Sequence, residues 1–270
     1  MTSINLTIHN KESIIANVLR GILSNATGDI ELVVCFDGCT DKSEVSFIKE
    51  LRNHPKQKIK VLYADNVFET KANNMAAKAS SGEYIIIVQD DQIITELGWN
   101  KRILAPFKTW DDVFAVTART AHNWKLNPDS QDIKTNEIRN DRWCDILIHC
   151  DHADLSNTDR NIFAIRDTVN RSPLAIRHSD LQALNYFDEA FAPQEFDEHD
   201  LMYRMHEKLG KVCGFYDIDW YSRPEWGSCR NPDGSTKGWV YENNFKNCRL
   251  FYERHNDKIN REHKIENRTI

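Results

Sequence analysis

Apolar and polar residues alternate over Ile4-Asn5-Leu6-Thr7-Ile8, the period of a half-buried strand. Asn10 can cap a helix whose apolar stripe is Ile14, Ile15, Val18, Leu19, Ile22 and Leu23, and Gly28 ends that segment. Glu31-Leu32-Val33-Val34-Cys35-Phe36 is apolar after its first residue, as in a strand buried on both faces of a parallel sheet. The pattern then predicts a helix from Asp41 to about Asn53, a strand from Lys58 to Tyr63, a helix from Thr70 to Ser80, and a buried strand from Tyr84 to Val88. Four strand–helix alternations imply a doubly wound α/β sheet, which binds ligands at the carboxyl ends of its strands.

Beyond Asp91 the periodicity loosens. Trp99 to Phe107 reads as a helix and Val113 to Ala118 as a strand. Residues 122–170 are polar and too long for an ordinary loop, so they are either functional or an inserted subdomain. Regularity returns at Leu174-Ala175-Ile176. A helix over 198–209 carries Leu201, Met205 and Leu209 on one stripe, with Gly210 at its end. The expected organisation is one catalytic-size unit over 1–245, with a nucleotide half (1–95) and an acceptor half (96–245), followed by a charged tail (246–270), helical or frayed.

Composition narrows the function classes. The 270 residues are 40% apolar, enough for a real core, and 28% charged. A net charge of −6 argues against a dedicated nucleic-acid binder, but not against a nucleotide whose diphosphate is neutralised by a metal ion. The start, Met1 to Asn5, lacks the pattern of a signal peptide, and no window approaches the ~20 apolar residues of a membrane span. Seven cysteines without paired metal spacing read as free thiols of a reducing compartment, so a cytoplasmic protein is expected, able to sit peripherally at a membrane.

The chemical signal is the position of carboxylates. Asp37 follows the second strand, and Asp90 and Asp91 follow the fourth, so all three fall at one edge of a parallel sheet. One carboxylate there can accept hydrogen bonds from a nucleoside. Others can hold Mg²⁺ or Mn²⁺, hard cations that share one or two protein carboxylates with phosphate oxygens and water.

Six segments, in order, carry a resemblance. They are Ile8-His9-Asn10-Lys11-Glu12; Val34 to Asp41; Lys71 to Ala77 with Gly82-Glu83-Tyr84; Gln89-Asp90-Asp91; Pro173 to Arg177 with Phe187 to Phe191; and Asp197-Glu198-His199-Asp200-Leu201. Together they resemble glycosyltransferase family 2, with its GT-A fold: a Rossmann-like, mostly parallel central sheet flanked by helices. The resemblance implies a nucleotide-sugar donor, a UDP-sugar first, contacted by Ile8, Asn10, Glu12, Asp37, Lys71, Asn74 and Asp90. It implies Mn²⁺ or Mg²⁺ on Asp91 with Asp90, and a general base at Glu198 with Asp197 and Asp200 beside it. It also implies a carbohydrate acceptor met by Arg177, and an inverting displacement. The chain departs from the family pattern in three places. Gln89 replaces the first aspartate of the metal motif. The acids at 197 and 198 are exchanged. No histidine follows the last strand, where Arg223 is a candidate phosphate contact.

Glu198, at a helix N-terminus, is expected to be kept ionised by the N–H dipoles. Arg139-Asn140-Asp141-Arg142-Trp143 combines planar donors, a carboxylate and an aromatic face, so Trp143 is a candidate acceptor contact. His149-Cys150-Asp151-His152 fits a surface loop better than a zinc site. Two alternatives remain open. A nucleotidyltransferase would need a glycine-rich phosphate loop, which His9 to Glu12 lacks. A binding module without catalysis draws support from Gln89, against Asp91, Glu198 and Asp200.

Overall fold

The computed structural model describes residues 1–123, 151–229, 231, 235–259 and 265–270, and the backbone alone of 134–139 and 142–147. Nine strands form one sheet: β1 (Thr2–Ile8), β2 (Ile30–Asp37), β3 (Lys58–Ala64), β4 (Tyr84–Gln89), β5 (Val113–Thr117), β6 (Ile162–Arg166), β7 (Leu174–Arg177), β8 (Val212–Phe215) and β9 (Glu266–Thr269). Their order is β9-β6-β8-β5-β7-β4-β1-β2-β3. β4, β1, β2 and β3 pair in parallel, while β7 runs against both β4 and β5 and β6 runs against both β8 and β9.

The alternation in β1 sorts its two faces. Ile4, Leu6 and Ile8 pack with Val18, Leu19 and Ile22 of α1 (Ile15–Asn25), and α2 (Ser43–Leu51) lies against α1. The polar positions face α3 (Phe68–Ala79), where Thr7 donates to Asn73 (3.2 Å) and Ser80 donates to Asn5 (2.9 Å). Hydrogen bonding is what makes these buried polar groups tolerable. β4 is apolar on both faces: Ile86 and Val88 join the α1 side, Ile85 and Ile87 the other. Each contributes on the order of 2 kcal/mol of burial. Gly82 lets β1 and the turn before β4 approach, since a Cβ there would lie 2.4 Å from the Ser3 nitrogen.

Several boundaries differ from the sequence pattern. Asn10 does not cap α1; its backbone is left-handed (φ 52°), and its side-chain oxygen accepts the N–H of Thr40 at 2.8 Å. Trp99 to Phe107 is not one helix but two short ones, Trp99–Arg102 and Ala105–Thr109. The polar stretch 122–170 supplies β6 to the main sheet, and Thr168–Val169 pairs with Ala121–His122. The charged tail begins inside a helix: α5 (Gly238–Ile259) crosses residue 245, and β9 then pairs with β6. α5 packs on α4 (Asp197–Leu209) through an aromatic cluster of Phe196, Tyr203 and Phe251. Asn247 donates to the carbonyls of Phe191 and Gln194, so α5 fixes the loop leading into α4.

Candidate active site

The crevice opens where the parallel strands end. His9, Asp37, Phe68, Asp90, Asp91 and Arg119, from the ends of successive strands and the start of α3, line it together with Glu195, Glu198 and Arg223. Because β7 is antiparallel, its amino end reaches this edge, bringing Asn170 and Arg171 into the lining.

Asp37 builds one end of the crevice. Its two oxygens accept the backbone N–H groups of Val67 and Phe68, both at 2.7 Å, and its carbonyl meets His9 Nδ1 at 2.6 Å. Beside it lies a groove walled by Asn66, Phe68, Trp226 and Trp239, with Phe68 and Trp239 edge to face at 5.0 Å.

Asp90 accepts the His9 N–H at 2.8 Å and stands 3.7 Å from Lys11 Nζ. Burial, with Asp91 adjoining, pushes its carboxyl up to about 6 against the pull of Lys11. The same lysine donates to the Trp226 carbonyl (2.5 Å) and Ser228 Oγ (2.8 Å), tying the 226–228 segment over the crevice. Gln89 is held by its own partners: its amide donates to Glu69 at 2.5 Å and accepts from Arg119 at 3.3 Å.

Across the crevice, at the start of α4, Asp197 is fully buried and Glu198 is 5% exposed. Arg171 Nη1 and Nη2 reach the two Asp197 oxygens at 2.7 and 2.9 Å, and Nη2 lies 3.5 Å from Glu198 Oε2. Burial would raise both acids. Arg171 reverses this for Asp197, which is held below the usual carboxylate range. For Glu198, burial and the Asp197 charge win, and its carboxyl is raised well above that range. The expectation that helix dipoles keep Glu198 ionised is therefore corrected: desolvation outweighs a partial charge at a helix end.

Other predicted residues lie elsewhere. Asp200 turns away, to His255 (2.9 Å) and Arg204 (2.6 Å), and joins α4 to α5. Arg177 sits at the opposite end of the sheet, paired in register with Tyr84 at the start of β4 and stacked on its ring at 5.3 Å. Asn74 bridges to Phe187, whose carbonyl it binds at 2.9 Å, rather than lining the crevice. On α3 it is Asn73 that faces in, and Lys71 is exposed to solvent. Glu12 is also exposed and accepts the Lys42 N–H at 3.3 Å. The Ile8 carbonyl is engaged by the Cys39 thiol at 3.3 Å. Asn10 lines the neighbouring groove, and Arg223 lines the crevice with its guanidinium over Trp226 at 5.5 Å. The Trp143 side chain, and His149 and Cys150, lie outside the described residues.

Nothing in the sequence marks Arg171, Glu69 or Arg119 as site residues. None belongs to a motif, and their shared placement depends on how α3, β5 and β7 meet. Among the described residues no three His, Cys, Asp or Glu side chains form a metal cage. Asp90 and Asp91 do offer adjacent hard oxygens, the donor set of a cation that completes its shell with phosphate and water.

The comparisons with known proteins agree on the fold. The model for glycosyl transferase family 2 matches residues 3–166, more than half of the chain. No curated protein sequence matches significantly. Among solved structures, glucosyl-3-phosphoglycerate synthase from Mycobacterium tuberculosis, with Mn²⁺, UDP and glucosyl-3-phosphoglycerate, is 15% identical at a TM-score of 0.58, covering 94% of this chain and 79% of that one. The mannosyltransferase PcManGT from Pyrobaculum calidifontis, with GDP-Man and Mn²⁺, is 15% identical at 0.56, covering 80% and 54%. S. aureus TarS 1-349 is 15% identical at 0.52, covering 83% of this chain, which spans 60% of the TarS chain. Among the described residues no helix is long and apolar enough to cross a membrane. With this sheet and this match, the chain belongs to glycosyltransferase family 2 and has the GT-A fold.

Proposed function

We propose that the protein transfers a sugar from a nucleoside-diphosphate sugar to a hydroxyl of a carbohydrate acceptor, with inversion, and that it does so with a divalent metal. The observation that carries this reading is that Asp90, Asp91 and Glu198 line one crevice together with Asp37 and the loop it holds. The groove beside Phe68 takes the nucleoside, a uridine first, and similar folds are solved with UDP or GDP-Man. Asp91, with Asp90, would hold Mg²⁺ or Mn²⁺, which when bound supplies positive charge to the leaving diphosphate.

Glu198 accepts the proton of the attacking hydroxyl. A carboxyl raised above its ordinary range is a stronger base once ionised. Asp197 is unsuited to it, with both oxygens in the Arg171 fork. A single displacement, with nucleophile and leaving group on opposite faces of the sugar, inverts the anomeric carbon. The expected setting remains a cytoplasmic protein, able to sit at a membrane surface, acting in glycan synthesis.

The test is release of nucleoside diphosphate from a panel of UDP- and GDP-sugars, with and without Mn²⁺, alongside thermal shifts with the same ligands. Metal-dependent release from one donor supports the reading. Stabilisation by a donor with no release, under any acceptor, would favour the binding module instead.

A further inference from the structure

We propose that Arg171 is the positioning residue of the acidic pair: it takes Asp197 as its two-pronged partner and so leaves Glu198 as the carboxyl that faces the crevice and exchanges the proton. The inference rests on the role proposed for Glu198 and adds the group that selects it over its neighbour.

The geometry is unequal by construction. The Arg171 side chain is 3% exposed, and its guanidinium lies over the Phe187 ring at 5.3 Å. Its planar fork meets both Asp197 oxygens at 2.7 and 2.9 Å, the bidentate match that guanidinium and carboxylate favour. Glu198 receives one contact at 3.5 Å, and Glu69 Oε1 lies 3.2 Å from Nε. One cation thus faces three carboxylates in a nearly dry place. All three ionised would leave a net double negative charge around one cation, which favours a proton among them.

The fork decides where. Asp197 is locked as the anion. Glu198 and Glu69, with weaker claims on the same cation, are both raised and both line the crevice, whereas of the adjacent pair Glu198 lines it and Asp197 does not. The charged groups around Glu198 are Asp197 and Glu195 on its own segment, Arg171 from the approach to β7, and Glu69 from α3. The site therefore stores a proton at the crevice wall rather than beneath it. A lysine could balance the same charge but could not form the fork, so it would not sort the two acids.

A structural prop would hold α4 in place without setting the proton affinity of Glu198, and that separates the readings. The carboxyl of Glu198 is titrated in the full chain by ¹³C NMR of labelled glutamate, assigned with Glu198→Gln, and compared with the acid limb of turnover. Arg171→Lys is expected to move the Glu198 titration to higher pH, and Asp197→Asn to lower pH by removing a like charge and freeing the guanidinium. Each shift should be on the order of one pH unit, with the acid limb moving the same way. Should Arg171→Lys not fold, Asp197→Asn alone decides the sign. A Glu198 titration unmoved in folded variants overturns the proposal. Shifted titrations in a protein that releases no nucleoside diphosphate from any donor would keep Arg171 in this role and discard the transfer reaction.

Discussion

The carboxylate of Asp37 closes the turn that presents Phe68: one oxygen takes the Val67 N–H and the other the Phe68 N–H, both at 2.7 Å. Phe68 needs that support, because its backbone is left-handed (φ 66°), a conformation that costs an L-residue about 1–2 kcal/mol. Asp37→Ala should lose both bonds, lower stability by about 2–4 kcal/mol, and weaken nucleoside-diphosphate binding at least tenfold. Asp37→Asn, with one acceptor left, should fall between. Calorimetric titration with UDP and GDP measures this; wild-type affinity in Asp37→Ala would mean that the turn does not shape the nucleotide groove.

Asp91 stands at a strand end in a solvent-reached crevice, so Asp91→Asn should fold normally. Its turnover with Mn²⁺ should fall by a factor on the order of 10² or more, because hard-cation sites of this kind depend on one or two carboxylates. Wild-type turnover should also stop with a chelator and return with added metal. Full activity of Asp91→Asn in chelator would remove the metal from the mechanism.

Glu198→Gln is nearly isosteric and can still accept from Arg171. Donor affinity should stay within about twofold while turnover drops on the order of 10² or more, the pattern of an interaction made only in the transition state. If Asp197→Asn is dead and Glu198→Gln active, the proton acceptor is the other member of the pair.

Asp200 should matter for stability and not for chemistry. Its carboxyl is held below the usual range, against its burial, by the His255 hydrogen bond and by Arg204. A depressed folded value means that the contribution is present above the unfolded carboxylate range and is lost as pH falls through the folded value. Asp200→Asn should therefore cost about 3 kcal/mol near pH 7, and a smaller amount at about pH 3, already below the ordinary carboxylate value. Urea unfolding at both pH values measures it. An equal cost at both would show that packing, not charge, is what Asp200 provides.

Much of this architecture is legible in the chain. The runs at 31–36 and 84–88 give strands buried on both faces, and parallel strands put the residues after them at one edge, where Asp37, Asp90 and Asp91 are found. Legibility ends where direction reverses. Residues after a parallel strand reach the crevice, but β7 is antiparallel, so Arg171 before it arrives there and Arg177, its last residue, goes to the far end. Helical phase explains Asn73 and Asn74: adjacent residues are turned about 100° apart, and a motif match does not say which one faces in. The inequality between Asp197 and Glu198 is a matter of which acid the guanidinium grips with both arms, and Arg171 is 26 residues from the nearer.

The four residues of β7 lie between β4 and β5, although they follow both in the chain. Until they dock, the Ile85-Ile86-Ile87-Val88 strand has an open flank of unpaired N–H and carbonyl groups, the kind of edge along which chains stack on one another. A fragment cut at residue 166, where the family match stops, would carry that exposed flank permanently. Such a piece should be recovered as aggregate, and restoring residues through 177 is the least that would cover the edge.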